Sequence, residues 1–206
     1  SLYGEVRRPT AAMMDSFDVL LVDLQDLGCR IYTFITTLRY VLEAAARFNK
    51  QVLVLDRPNP AGRAVEGLTL RTGWESFVGA GPLPMRHGLT MGELALWFVR
   101  TLNLDVACEV VTMEGWAPAT GPGYGWPLGE RSWVNPSPNA PNLWMARCYA
   151  GTVMLEGTTL SEGRGTTRPL ELFGAPGLEP RKLLAEMQRL APDWLQGCRL
   201  RECWFE

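Results

Sequence analysis

The sequence lacks most of the features that mark metal-dependent, disulfide-bonded, membrane-spanning or nucleic-acid-binding proteins. Its 206 residues include one histidine and five cysteines, with no C-x-x-C pair, so the paired spacing of a zinc site is absent. No apolar run approaches the roughly 18 residues that a helix needs to cross a bilayer. A net charge of −2 is not the positive excess of a general nucleic-acid binder. We therefore expect no metal, no membrane span and no nucleic-acid partner.

Short motifs for phosphate binding and for serine hydrolases are also missing. The chain contains no G-x-x-x-x-G-K-[ST] and no G-x-G-x-x-G, which are the loops that cradle nucleotide phosphates. It contains no G-x-S-x-G nucleophile elbow either. A Cys-His pair remains open, because such a pair needs proximity in space and not in sequence.

Tryptophan and proline, in contrast, are abundant. The chain has 8 Trp and 15 Pro within a composition of 47% hydrophobic and 20% charged residues, which is typical of a folded globular protein. Five tryptophans lie in Gly/Pro-rich stretches, namely Trp74, Trp116, Trp126, Trp133 and Trp144. Each either anchors a loop in the core or offers a flat apolar face on which a sugar can stack.

Alternating strand and helix patterns predict an α/β fold with a parallel sheet. Residues 17–23 and 51–56 are continuous apolar runs that end in an acid, as in strands buried on both faces. Residues 33–48, between them, have the apolar spacing of a helix. Residues 90–102 predict a second helix, in which Thr90 and Glu93 form a capping box.

Further elements are predicted after the second helix. An amphipathic helix is expected at 181–190, and strands are expected at 109–113, at 151–155 and from 198 to 205. A Pro/Gly/Trp-rich loop is expected at 115–141. This arrangement leaves long loops at the carboxyl ends of the strands, which is the edge where open parallel sheets bind ligands.

Polar residues gather at that predicted edge. They follow the expected strands or lie in the adjoining loops: Asp23, Asp26, Arg30, Tyr32, Asp56, Asn59, Glu66, His87, Asn139, Glu156, Glu162 and Arg164. Carboxylates and amides hydrogen-bond hydroxyl groups, and arginine binds a ligand carboxylate in a forked geometry. A pair of carboxyl groups is also what glycoside hydrolysis usually requires. The pattern suits a polyhydroxylated ligand, although Asp23, Asp56 and His87 are equally well explained as caps or structural hydrogen-bonding residues.

Several long motifs, in order along the chain, resemble one protein family. They are D-L-Q-D-L-G-C-R-I-Y-T-F at 23–34, L-D-R-P-N-P-A-G at 55–62, V-E-G at 65–67, P-M-R-H-G-L-T-M-G-E-L-A at 84–95, P-S-P-N at 136–139, L-E-G-T-T-L-S-E-G-R-G-T-T-R-P at 155–169 and F-G-A-P at 173–176. The chain resembles the exo-β-N-acetylmuramidases of the NamZ type, long catalogued as a domain of unknown function.

The resemblance implies a glycoside hydrolase that releases N-acetylmuramic acid from the non-reducing end of peptidoglycan fragments. It implies a Rossmann-like catalytic domain, at residues 1–177, and the beginning of a smaller C-terminal domain, at residues 178–206. No metal or organic cofactor is expected, and a location outside the cytoplasmic membrane is favoured. Family members also carry an upstream E-H-G segment that is not found here, and commonly have Asn where this chain has Thr159.

The motifs suggest which residues carry the chemistry. Glu66 and Glu162 are the leading catalytic candidates, followed by Glu156 and Asp26. The residues expected to shape the sugar site are Asp23, Arg30, Tyr32, Asp56, Asn59, His87, Asn139 and Arg164. Two other functions remain open, a non-catalytic module that binds muropeptide sugars and a hydrolase acting on a peptide or ester bond.

Overall fold

A parallel sheet of three strands organises the computed structural model, which describes residues 1–116, 126 and 131–205. The strands are β1 (Val19–Val22), β2 (Gln51–Leu55) and β3 (Cys108–Val111), in the order β1-β2-β3. Val22 pairs with Val54, and Val54 pairs in turn with Val110. The predicted α/β class with a parallel sheet is thus confirmed.

Helices connect the strands and continue after the sheet. They are α1 (Ala11–Met14), α2 (Phe34–Phe48), α3 (Met91–Thr101), α4 (Leu143–Thr152) and α5 (Pro180–Leu190), with 3₁₀ turns at Val153–Gly157 and Pro192–Leu195. The first crossover contains α2 and the second contains α3. None of these helices, within the ranges just given, is long and apolar enough to cross a membrane.

The ends of α2 and α3 follow directly from their sequences. The helix α2 stops at Asn49, which takes the left-handed conformation (φ 52°) that Asn tolerates better than most residues. The helix α3 begins with the predicted capping box, in which Thr90 Oγ1 accepts from the Glu93 amide and Glu93 accepts from the Thr90 amide. Glu93 is therefore a capping residue.

The main core lies on one face of the sheet. Val52 and Val54 of β2 are fully buried, and they belong to the same apolar cluster as Leu38 of α2 and Phe98 of α3. The prediction that β1 is buried on both faces is wrong, since Leu21 is 58% exposed. Both crossover helices pack in the same apolar cluster on one face of the sheet. The residues of β1 that point to the other face, such as Leu21, therefore remain accessible.

Two predicted strands are not observed. The run at 151–155 is the end of α4 followed by a 3₁₀ turn, and a short apolar run of this kind does not distinguish a strand from a helix. The helix has its own N-cap, because Asn142 Oδ1 accepts from the Met145 amide at 2.9 Å. Residues 198–205 form no strand in the part of the chain that the structure describes. Part of the predicted loop at 115–141, namely 117–125 and 127–130, lies outside the described residues.

Candidate active site

Two of the candidate glutamates are held together by one arginine. Arg164 donates from Nε to Glu162 Oε1 at 2.8 Å and from Nη2 to Glu156 Oε1. The two nitrogens on one edge of a guanidinium commonly bind a single carboxylate. Here they bind two separate carboxylates. Burial alone would lower the pKa of Arg164, but its hydrogen bond to Glu156 and the two negative charges raise it. The three side chains form the carboxylate cluster of the site.

A large groove is lined both by the arginine that binds a third glutamate and by residues that lie next to the carboxylate cluster in sequence. The groove has a volume of about 930 Å³, and its walls include Arg86, Thr159 and Ser161, together with Trp144 of α4. Arg86 Nη1 binds Glu66 Oε2 at 2.6 Å, and residues 66 and 86 also pair through their backbones. Arg86, which binds Glu66, and Ser161, which precedes Glu162, therefore line the same space, which we call the α4 groove.

Asp26 and His87, the residue after Arg86, form a buried pair. Asp26 Oδ2 accepts from the Gly28 amide at 2.6 Å and lies 3.1 Å from His87 Nε2. His87 Nδ1 accepts from the Leu89 amide, which places the ring proton on Nε2 and directs it at Asp26. Both side chains are almost fully enclosed. The pair thus fixes the loops after β1 and before α3 relative to each other.

Aromatic residues connect the buried pair with the carboxylate cluster. Tyr32 and Tyr149 meet edge to face, with 6.3 Å between ring centroids. Burial and then the negative charge of Asp26 raise the pKa of Tyr32. Tyr149 on α4 interacts electrostatically with Glu156 and with Arg164. Tyr32 and Tyr149 thus pack against each other, and the charges of Asp26 and of Glu156 act on Tyr32 and Tyr149 respectively.

A smaller cavity, of about 220 Å³, lies at the carboxyl end of β1. Gln25, Arg57, Trp126 and Arg131 contribute to its lining. Arg57 Nε donates to Asp23 Oδ1 at 2.6 Å, and this hydrogen bond lowers the pKa of Asp23. Asp23 thus lies at the expected edge of the sheet. The cavity beside it shares no lining residue with the α4 groove.

Several of the sequence candidates hold the framework. Asp56 caps α3, with Oδ1 accepting from the Gly92 amide and Oδ2 from the Thr90 hydroxyl, both at 2.8 Å. Asn59 donates to Leu89 O and accepts from the Ala61 amide within its loop. These two sets of bonds account for Asp56 and Asn59 as positioning residues for the loops around the site.

Arg30 and Asn139 complete the set of candidates. Arg30 Nη1 donates to the carbonyls of Leu68 and Leu83, which ties the loop at 57–89 to the segment after β1. Asn139 is half-buried and makes no side-chain hydrogen bond to a described residue. A direct role for either residue in holding a ligand remains a prediction.

Two residues that the sequence reasoning did not select occupy central places. Arg86 binds Glu66 and lines the groove, and Tyr149 of α4 packs edge to face on Tyr32. The signal for Tyr149 was the helical spacing of Leu143, Ala146 and Tyr149 after the capping residue Asn142. For Arg86 the sequence offered only its place in the P-M-R-H-G motif.

Cysteine reactivity offers a direct check on the packing around the site. Cys29 is fully buried, and burial raises the pKa of its thiol to about 12, whereas Cys198 and Cys203 are exposed. We expect Ellman's reagent at pH 8 to modify Cys198 and Cys203 first and Cys29 only after denaturation, since the thiolate is the reacting form. In a Cys29→Ala variant the number of thiols that react in the folded protein should stay unchanged. The number that react after denaturation should fall from five to four. Labelling of Cys29 in the folded protein would contradict the packing.

Comparison with known proteins agrees with this architecture. A family model for the N-terminal domain of exo-beta-N-acetylmuramidase NamZ matches residues 1–144, and a model for its C-terminal domain matches residues 147–206. The peptidoglycan beta-N-acetylmuramidase NamZ of Bacillus subtilis (strain 168) is 42% identical over 184 residues, which are 89% of this chain. The chain spans 44% of the length of that relative.

Solved structures show the same fold. A DUF1343 family protein from Bacteroides fragilis is 38% identical, with a TM-score of 0.82, over 92% of this chain and 50% of its own. A second DUF1343 protein from the same organism is 36% identical, with a TM-score of 0.74, over 83% of this chain and 47% of its own. On the family models, the sequence identity and the fold together, the chain belongs to the NamZ family of exo-β-N-acetylmuramidases.

Proposed function

We propose that the chain provides a substantial part of the active site of a glycosidase that removes N-acetylmuramic acid from the non-reducing end of peptidoglycan fragments. The support is the 42% identity with a relative named as a peptidoglycan beta-N-acetylmuramidase. The observation that carries the proposal in this chain is the carboxylate cluster, in which Glu156 and Glu162 share Arg164, next in sequence to Ser161, which lines the α4 groove.

Glu66 and Glu162 are the proposed catalytic pair. Glycoside hydrolysis needs one carboxyl group to protonate the leaving oxygen and a second to act as base or nucleophile. Glu66, although paired with Arg86, is 63% exposed and accessible to a ligand, whereas Glu162 is 14% exposed and fixed on Arg164. Two carboxyl groups in such different surroundings are suited to two different roles. Glu156 and Asp26 rank behind them, because Asp26 is enclosed with His87.

Cationic groups provide the expected match to the sugar. N-acetylmuramic acid carries a lactyl carboxylate, and arginine binds carboxylates through paired N–H donors. Arg86 lies on the α4 groove, and Arg57 and Arg131 border the smaller cavity. Tryptophan faces also line both spaces, Trp144 in the groove and Trp126 in the smaller cavity. A sugar with one carboxylate is the ligand class that these walls suit.

The proposal is tested with two proteins, this 206-residue chain and a chimera. The chimera is the B. subtilis relative carrying this chain in place of its own matching segment. The assay follows release of 4-nitrophenol from 4-nitrophenyl N-acetyl-β-muramide, with the β-glucosaminide, which lacks the lactyl group, as control. We expect the chimera to hydrolyse the muramide and to leave the glucosaminide largely intact. Equal hydrolysis of both substrates, or of neither, would contradict the proposal.

A non-catalytic module that binds muropeptide sugars is the second candidate. The observation that favours it is that Glu66, Glu156 and Glu162 are all engaged with arginines, as purely structural ion pairs would be. Such a module would bind N-acetylmuramic acid in a calorimeter without releasing nitrophenol. The same two proteins therefore distinguish the two functions.

A further inference from the structure

The small cavity at the carboxyl end of β1 carries more positive than negative charge. Arg57 and Arg131 both line it, and Asp23 is the one carboxylate that pairs with either of them among the described residues. Arg57 directs Nε and Nη2 at Asp23 Oδ1, both at 2.6 Å, and its Nη1 makes no hydrogen bond to a described residue. Asp23 thus orients the guanidinium and leaves one of its donors available to an incoming anion.

The backbone of Arg131 is fixed by the aromatic wall of the cavity. Trp126 is 5% exposed, and its Nε1 donates to the Arg131 carbonyl at 3.2 Å. The Trp126 ring packs on Trp133, with 5.1 Å between ring centroids, and Trp133 Nε1 donates to Ala140 O at 2.9 Å. The side chain of Arg131 is exposed and has no hydrogen bond or ion pair within the part of the chain that the structure describes. Its charge is therefore held at the cavity without a partner.

Gln25 fixes another part of the wall. Its Nε2 donates to the carbonyls of Asp26 at 2.8 Å and Pro58 at 3.1 Å, which joins the loops after β1 and β2 beside the cavity. With a volume of about 220 Å³, the cavity is smaller than the usual pocket of a drug-sized ligand. It suits one compact anionic group, and a carboxylate is the group that arginine donors match.

We propose that this cavity binds a carboxylate of a peptidoglycan fragment, between Arg57 Nη1 and the Arg131 guanidinium and beside the Trp126 ring. In such a fragment the carboxylate belongs to the lactyl group of N-acetylmuramic acid or to a peptide that is attached there. Arg131 is then a specificity-determining residue, because a neutral analogue cannot form these charge-assisted hydrogen bonds. The choice of ligand rests on the proposed function, but the site shares no lining residue with the α4 groove.

Calorimetric titration of this chain and of the chimera tests the site with three ligands. N-acetylmuramic acid carries a lactyl carboxylate, N-acetylmuramyl-L-alanyl-D-isoglutamine carries its carboxylate on the peptide, and N-acetylglucosamine has none. The test variant is Arg131→Gln. Its matched control is Arg71→Gln, which removes the same charge from another exposed arginine that lines neither space. Neither side chain bonds to a described residue, so both variants should unfold at nearly the wild-type temperature.

We expect Arg131→Gln to weaken binding of one or both carboxylated ligands by roughly tenfold, as for loss of a charge-assisted hydrogen bond. Binding of N-acetylglucosamine, and all binding by Arg71→Gln, should change by less than about twofold. A loss confined to N-acetylmuramic acid identifies the lactyl group as the source, and a loss confined to the dipeptide identifies the peptide. Arg57→Lys keeps the positive charge but not the two-sided fork of donors, so it should weaken binding of the same ligand severalfold.

Three results would overturn the inference. They are equal affinities of Arg131→Gln and wild type for both carboxylated ligands, equal losses in Arg131→Gln and Arg71→Gln, and failure of the wild-type chimera to bind either carboxylated ligand. The binding measurements require no turnover. Binding that depends on Arg131 without hydrolysis would therefore support the site while the proposed catalysis fails. Hydrolysis with unchanged affinities in Arg131→Gln would overturn the site and leave the proposed function in place.

Discussion

We expect hydrolysis of the aryl muramide by the chimera to fall by about 10³-fold when Glu162 is replaced by glutamine. The change keeps the size of the side chain and its hydrogen bond with Arg164, but it removes the group that exchanges a proton with substrate. General acid–base catalysis by one positioned side chain typically contributes about 10²–10⁴-fold. We expect Glu66→Gln to lower the rate of hydrolysis by a factor of the same order, because glycoside hydrolysis usually requires two carboxyl groups.

Glu186→Gln is the matched control for these two variants. Glu186 is also paired with an arginine, Arg189 at 2.7 Å, but it lies on the exposed face of α5. It should retain wild-type turnover, and all three variants should unfold within a few degrees of wild type. Wild-type turnover in Glu162→Gln or Glu66→Gln would remove that residue from the catalytic pair. A comparable loss in Glu186→Gln would show that the effect is not specific to the site.

Gly28→Ala is expected to cause the largest loss of stability among single-methyl changes near the site. Gly28 has φ +77°, and a Cβ there would lie 2.2 Å from Asn59 Oδ1 and 2.6 Å from Ala61 Cβ. The left-handed backbone costs an alanine about 1–2 kcal/mol. Forcing extra volume into a packed site typically costs about 1–3 kcal/mol more. Urea denaturation should therefore show a free energy of unfolding lower by about 2–5 kcal/mol.

Gly73→Ala separates the two costs. Gly73 has a similar backbone angle, φ +88°, but nothing lies within 4 Å of its virtual Cβ. This variant should lose only the backbone contribution of about 1–2 kcal/mol. Gly28→Ala should also disturb Asp26, whose Oδ2 accepts from the Gly28 amide. Equal losses in the two variants would mean that the loop after β1 relaxes freely, contrary to the packing described above.

The sequence predicted those parts of the fold that depend on local periodicity. The strands β1 and β2 and the helices α2 and α3 were found within two residues of their observed bounds, and the Thr90–Glu93 capping box was found as well. The helix α4 was missed, because residues 151–155 were interpreted without the helical spacing that begins at Leu143. The exposure of Leu21 was missed too, because a continuous apolar run does not say how many faces of a strand are covered.

The pairings within the site depend on the tertiary fold, and the sequence did not show them. The motifs placed Glu156, Glu162 and Arg164 close together in sequence, but not the sharing of one guanidinium by two carboxylates. Asp56 was equally plausible as a ligand contact and as a cap, and its bonds to Thr90 and Gly92 show that it caps α3. Arg86 is separated from Glu66 by 20 residues, so only the folded chain reveals their pairing.

The most direct test of the proposed function uses peptidoglycan saccharides of defined length. One substrate has N-acetylmuramic acid at its non-reducing end, and its partner has N-acetylglucosamine there. Mass spectrometry of the products from the chimera should show free N-acetylmuramic acid from the first saccharide, none from the second, and none from either with Glu162→Gln. Internal cleavage of both saccharides, or release that persists in Glu162→Gln, would contradict an exo-acting muramidase that depends on this carboxylate cluster.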